Sequence, residues 1–158
     1  MKKIFLIVAI CATVFVQKSL AQDSTSQQKL PQLLTYYYNI KNALVAGDAA
    51  SASTNALTFV KAVNSMDYKV ISEGNIHTLA GDAGKIADAK DIKKQREYFA
   101  NFSINMASVA KSAKLSDQPI YQAYCPMKKA YWLSNEKAIK NPYYGSSMLT
   151  CGQVTETL

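Results

Sequence analysis

Cysteine, histidine, tryptophan and glycine are all scarce in this 158-residue chain, which has three, one, one and six of them. Three cysteines are too few for the disulfide frameworks that hold small exported domains together. A single histidine, His77, rules out the Cys/His clusters that bind structural zinc. As a general base it would also need an orienting partner that no neighbouring motif supplies. The scattered glycines form no phosphate-cradling loop, and no pair of carboxylates is spaced for acid–base work. These gaps point away from an enzyme. The longest apolar run, Ile4–Val16, falls well short of the roughly 20 residues that a membrane-spanning helix needs.

That run sits between Met1-Lys2-Lys3 and Gln17-Lys18-Ser19-Leu20-Ala21-Gln22. A basic start, a short apolar stretch and small residues at the −3 and −1 positions read as a secretory signal, residues 1–21, cleaved before Gln22. Cys11 would leave with it; Ile10 before it is not small, which argues against a lipid-modified cysteine. Without Lys2, Lys3 and Lys18 the formal charge falls from +7 to +4. The remaining charge is dispersed. Nucleic-acid binding wants a clustered basic stripe and a matching motif, and neither is present. About 137 residues then remain, the size of one domain with a core of its own.

Residues 22–29 are polar and without an apolar period, so a flexible leader is expected there. From Leu30 the apolar residues recur at helical spacing: Leu30, Leu33, Leu34, Tyr37, Ile40, Leu44 and Val45. Of the run Tyr36-Tyr37-Tyr38 only one ring can face fully inward, and the stripe selects Tyr37. Gly47 ends this helix, and Asp48 is placed to cap the next. Ala52, Ala56, Phe59, Val60 and Val63 line a second helix. A third, interrupted by Gly81 and Gly84, uses Ile76, Leu79, Ala80, Ala83, Ile86 and Ala87. A fourth spans about Lys90 to Ala113 on Ile92, Phe99, Phe102, Met106 and Val109. Helices of this length with short connections predict a mainly α fold, an antiparallel three- to four-helix bundle over residues 30–114.

Residues 115–154 differ. They hold Pro119, Pro126 and Pro142, the one tryptophan and many tyrosines. Residues 119–124 alternate as a strand does. Ser134 is placed to cap a short helical turn through Glu136 to Ile139, and Asn141-Pro142 forces a turn. An irregular C-terminal cap with short extended segments, folded back on the bundle, is expected. Tyr131-Trp132 and Tyr143-Tyr144 read as its packing.

The chemistry concentrates in this cap. Cys125 and Met127 belong to Tyr-Cys-Pro-Met, and Met148 and Cys151 to Met-Leu-Thr-Cys-Gly. Two thiols and two thioethers, brought together, suit Cu(I) or a similar soft metal. The spacing of the two cysteines does not force them together. In an oxidising compartment one disulfide is the default for such a pair, closing a loop worth roughly 3 kcal/mol by chain entropy. Methionines beside a bridge would then be packing. Both readings stand on the residues alone.

The segments YCPM and YWLSNEKAIKNPYYGSSMLTCG, with DIKKQREYFANFS at Asp91–Ser103, resemble a family of exported bacterial proteins, domain of unknown function 3347. The resemblance extends from the first helix to Val154. The family's domain occurs alone after a signal peptide, attached to periplasmic adaptor subunits of heavy-metal efflux pumps, and near copper- or silver-resistance components. The resemblance therefore implies a periplasmic soft-metal protein with Cys125, Met127, Met148 and Cys151 as ligands and copper as the ion. Its partners would be efflux adaptors or copper-handling proteins. The alternative is a non-enzymatic interaction module with a Cys125–Cys151 bridge and no metal. One departure bears on the site. Family members often carry histidine before Cys-Pro-Met, where this chain has Tyr124, and more histidines in the third helix than His77.

Overall fold

The computed structural model describes residues 21–158, with side chains from Lys29 onward. The expected signal segment lies outside the described residues, apart from Ala21. Four helices come first: α1 (Ala21–Ala46), α2 (Ala49–Asn64), α3 (Glu73–Asp88) and α4 (Ile92–Ser112). Three short strands follow, β1 (Tyr121–Cys125), β2 (Ala130–Ser134) and β3 (Gln153–Thr157), with a single 3₁₀ turn at Gly145–Met148 between the last two. The fold is mainly α with a small C-terminal cap.

Each helix boundary has a local cause. Gly47, at φ 76°, takes the left-handed turn that ends α1. Asp48 then accepts the Ser51 N–H at 2.9 Å and starts α2. Ser72 accepts from Asn75 N, and Asp91 from Lys94 N at 3.0 Å, in the same role for α3 and α4. One expectation is corrected here: residues 22–29 are helical, not an irregular leader. The segment contains no glycine or proline, and extending a helix from an anchored turn costs little per residue. Pro31 lies in the interior of α1, where its missing N–H removes one backbone bond.

Consecutive helices pack on one another: α1 on α2, α2 on α3, α3 on α4. Leu33, Tyr37, Ile40, Leu44, Phe59, Val63, Leu79, Ile86, Phe99, Phe102 and Met106 fill the core. The cap covers what the helices leave open. Strand β2 packs on α4, and the 3₁₀ turn meets α1. Tyr37 is the pin between the layers. Its ring lies 5.3 Å from Phe99 and 5.4 Å from Phe102, its hydroxyl bonds Ser103 at 2.7 Å, and it accepts the Leu133 N–H at 3.0 Å. Burial of the ring raises the Tyr37 pKa.

The sheet runs β2-β1-β3, antiparallel throughout. Two further expectations are corrected. No helical turn follows Ser134; residues 135–138 form bends, and Ser134 Oγ accepts the Glu136 N–H in a local turn. Serine offers the backbone either arrangement. The cap also does not stop at Val154. Strand β3 reaches Thr157, and Leu158 exchanges two backbone bonds with Ile120.

Candidate functional site

The hairpin between β1 and β2 starts at Cys125, whose register partner is Ala130. Pro126 stiffens its first position. Lys129 closes the loop with φ at 54°, a left-handed conformation unusual for a residue with a side chain. The loop folds so that the Lys128 N–H donates to Cys125 Sγ at 3.4 Å. Cys125 itself faces inward and is fully buried.

Cys151 arrives from the other direction, between the 3₁₀ turn and β3. Asn141 fixes it there. This buried side chain donates Nδ2–H to the Cys151 carbonyl at 2.7 Å and accepts the Tyr143 N–H on Oδ1 at 2.8 Å. Its own N–H bonds the Leu149 carbonyl at 2.8 Å, and its carbonyl accepts the Gly145 N–H at 3.0 Å. Tyr143, two residues on, packs on Trp132 and Phe99 and donates its hydroxyl to the Tyr131 carbonyl. Two glycines make the path passable. At Gly145 (φ 55°) a Cβ would lie 2.6 Å from Arg96 Nη2 and 2.8 Å from the Val45 carbonyl. At Gly152 (φ 144°) it would meet Trp132 Cη2 at 2.7 Å and the Tyr124 carbonyl at 2.9 Å.

The result is a direct contact between the two thiols, 26 positions apart in sequence, with Sγ atoms 3.8 Å from one another. Cys125 is buried and Cys151 half-buried, and both are free thiols. Partial burial pushes the Cys151 thiol up, and the neighbouring Cys125 adds to it; the Met127 N–H opposes the shift. Metal–sulfur bonds of about 2.3 Å to two sulfurs at this separation would meet at a bent, near-tetrahedral angle. Such an angle does not match a linear two-coordinate ion.

Of the four residues expected to form a site, the two thiols are therefore brought together. The thioethers lie on the surface nearby in the chain: Met127 is 63% exposed and Met148 40% exposed. The Met148 carbonyl accepts the Cys151 N–H at 3.1 Å, so its backbone belongs to the same turn. Among the described residues no cluster of three or more His, Cys, Asp or Glu side chains is placed to hold a metal. Any ion at the thiol pair would draw its remaining ligands from the methionines or from outside. His77 stands on the exposed face of α3 beside Glu73, at 3.6 Å. The rings of Tyr124 and Tyr131 pair across the strands at 4.6 Å. Sequence reading missed the positioning residues Asn141, Gly145 and Gly152. The signal was there in Asn-Pro-Tyr-Tyr-Gly followed by Cys-Gly, read only as turn punctuation.

No curated protein and no solved structure matches this chain. A family described as protein of unknown function (DUF3347) matches residues 33–118, more than half of the 158. The match covers all but the start of the bundle and ends ahead of Cys125, short of the Val154 limit that the resemblance suggested. The chain belongs to the DUF3347 family.

Proposed function

We propose that this protein binds a soft metal ion through Cys125 and Cys151, with Met127 and Met148 completing the ligand set, and that the ion is Cu(I). The observation that carries this reading is the 3.8 Å contact between two free thiols held by separate turns. Thiolate and thioether donors favour Cu(I) over harder ions. The bent angle calls for more than two ligands, and Met127 and Met148, exposed, unbranched and two and three residues from the thiols in sequence, are the candidates. The protein acts without catalysis, sequestering the ion in the periplasm or passing it to an efflux system. Export rests on the N-terminal segment read from the sequence.

The same contact supports a second reading, a permanent Cys125–Cys151 bridge in a metal-free interaction module. A free-thiol count on unreduced protein separates the two. The direct test is a Cu(I) competition titration of the reduced protein. Wild type is expected to bind one ion tightly, Cys125→Ser to lose most of that affinity, and Met148→Leu to lose part of it. Equal affinity in all three contradicts the proposal.

A further inference from the structure

We infer that the thiol pair is also a redox gate: a dithiol that holds the ion when reduced and releases it when oxidised by a small-molecule disulfide. This deepens the metal-binding reading and rests on it.

Three observations carry the inference. The sulfurs are already in contact at 3.8 Å. Only a small local shift brings them to the bonding distance of a disulfide, about 2 Å. The two thiols differ in access, Cys125 being buried and Cys151 half-buried. They also differ in their place in the fold. Cys125 ends β1, the central strand of the sheet, whereas Cys151 lies outside any strand and is followed by Gly152. An incoming reagent meets Cys151 first.

The chemistry follows that asymmetry. The Cys151 thiolate attacks one sulfur of the external disulfide RSSR, forming a Cys151–S–S–R bond and expelling RS⁻. The Cys125 thiolate, which accepts the Lys128 N–H, then attacks the Cys151 sulfur. The intramolecular bond forms and the second RS⁻ leaves. The two thiol protons end on two RSH. The protein dithiol has lost two electrons, and RSSR has gained them. A disulfide offers no anionic sulfur, so the site loses its two strongest ligands. In the other direction, an ion bound to both thiolates withholds the nucleophiles and protects the pair.

The test uses the full chain, equilibrated in buffers of oxidised and reduced glutathione, with intact mass and thiol count as readouts. Each form is then titrated with Cu(I) held by a chromogenic chelator. An oxidising buffer is expected to remove about 2 Da and both thiols. Cu(I) affinity should then fall at least about 100-fold and return on reduction. Cys125→Ser should accumulate a glutathione adduct on Cys151, which nothing resolves, while Cys151→Ser should form little adduct on buried Cys125. Absence of the bridge at an oxidising poise, with Cu(I) binding by the reduced protein intact, overturns the gate and leaves the metal reading standing. An adduct that collects on Cys125, or a bridged form that binds Cu(I) as well as the reduced one, also overturns it. Failure of the reduced protein to bind Cu(I) at all removes the reading on which the gate depends.

Discussion

The bundle and the cap of this protein are specified in different ways. In the bundle, position is set by period: apolar residues every three or four places give four stripes, and the stripes find one another. The stripe residues are largely interchangeable in kind, and Leu33, Ile40, Leu79 and Ile86 are ordinary aliphatic packing. In the cap, position is set residue by residue. Gly145 and Gly152 pass where no Cβ fits, Asn141 makes four bonds at once, and Tyr143 spans from Phe99 to the Tyr131 carbonyl. The contrast teaches where the chemistry belongs. A stripe fixes a side chain to within a rotamer or so, while point-by-point fixing is what brings two sulfurs 26 residues apart into contact.

The contrast is sharpest for single-methyl changes. Gly152→Ala adds one carbon against Trp132 and the Tyr124 carbonyl at a left-handed φ, and should cost about 3 kcal/mol or more. Ile86→Val removes one carbon from the bundle core and should cost about 1 kcal/mol. Urea unfolding of both variants checks the order. If Gly152→Ala proves the milder, the cap is not specified as described. Next in size is Asn141→Ala, which strands the part-buried Cys151 carbonyl and the buried Tyr143 N–H. It should cost about 2 kcal/mol by leaving those groups unpaired. Bridge formation between the thiols should slow as well.

A smaller effect has the opposite sign. Lys41 is fully buried between α1 and the cap, with one bond from Nζ to Ser134 Oγ at 3.4 Å. Burial lowers its pKa; Glu136 nearby opposes the shift and Lys140 adds to it. A cation whose folded pKa is lowered binds its proton more weakly in the folded state than in the unfolded chain. Stability therefore rises with pH from that lowered value up to the unfolded value near 10.5. Lys41→Met should stabilise by about 1 kcal/mol at pH 7 and by less at pH 10, close to the unfolded value. Melting curves at the two pH values read this directly, and a variant less stable than wild type at pH 7 refutes it. The smallest effect is expected at Lys129, where Lys129→Gly relieves a left-handed backbone. It should change stability by no more than about 1 kcal/mol, in the stabilising direction.

The comparison also explains what could be read in advance. Tyr37, Phe59, Phe99 and Phe102 were legible as core because periodicity survives translation into a helix. Asp48 was legible as a cap because its role is local. The β1 strand announced itself by alternation. Strand β3 did not, since Gln153–Thr157 is exposed along its whole length and carries no inside–outside pattern. Ser134 was ambiguous because serine serves a cap and a turn equally. Buried Lys41, Gln95 and Asp82 went unseen for a related reason. Their burial follows from partners in distant elements, such as the three carbonyls that Gln95 Nε2 bonds and the Asn101 and Asn105 amides on Asp82. Cys125 and Cys151 were conspicuous as chemistry, but their contact depends on Asn141 and two glycines acting together, which no local spacing expresses.

We propose that the two thiols form the heart of a bent, sulfur-rich metal site. X-ray absorption at the copper edge of the reduced, Cu(I)-loaded protein tests it most directly. The expected result is a shell of sulfur neighbours numbering more than two, reduced in Cys151→Ser and in Cys125→Ser alike. A shell of nitrogen or oxygen, or a sulfur shell unchanged by either substitution, would contradict it.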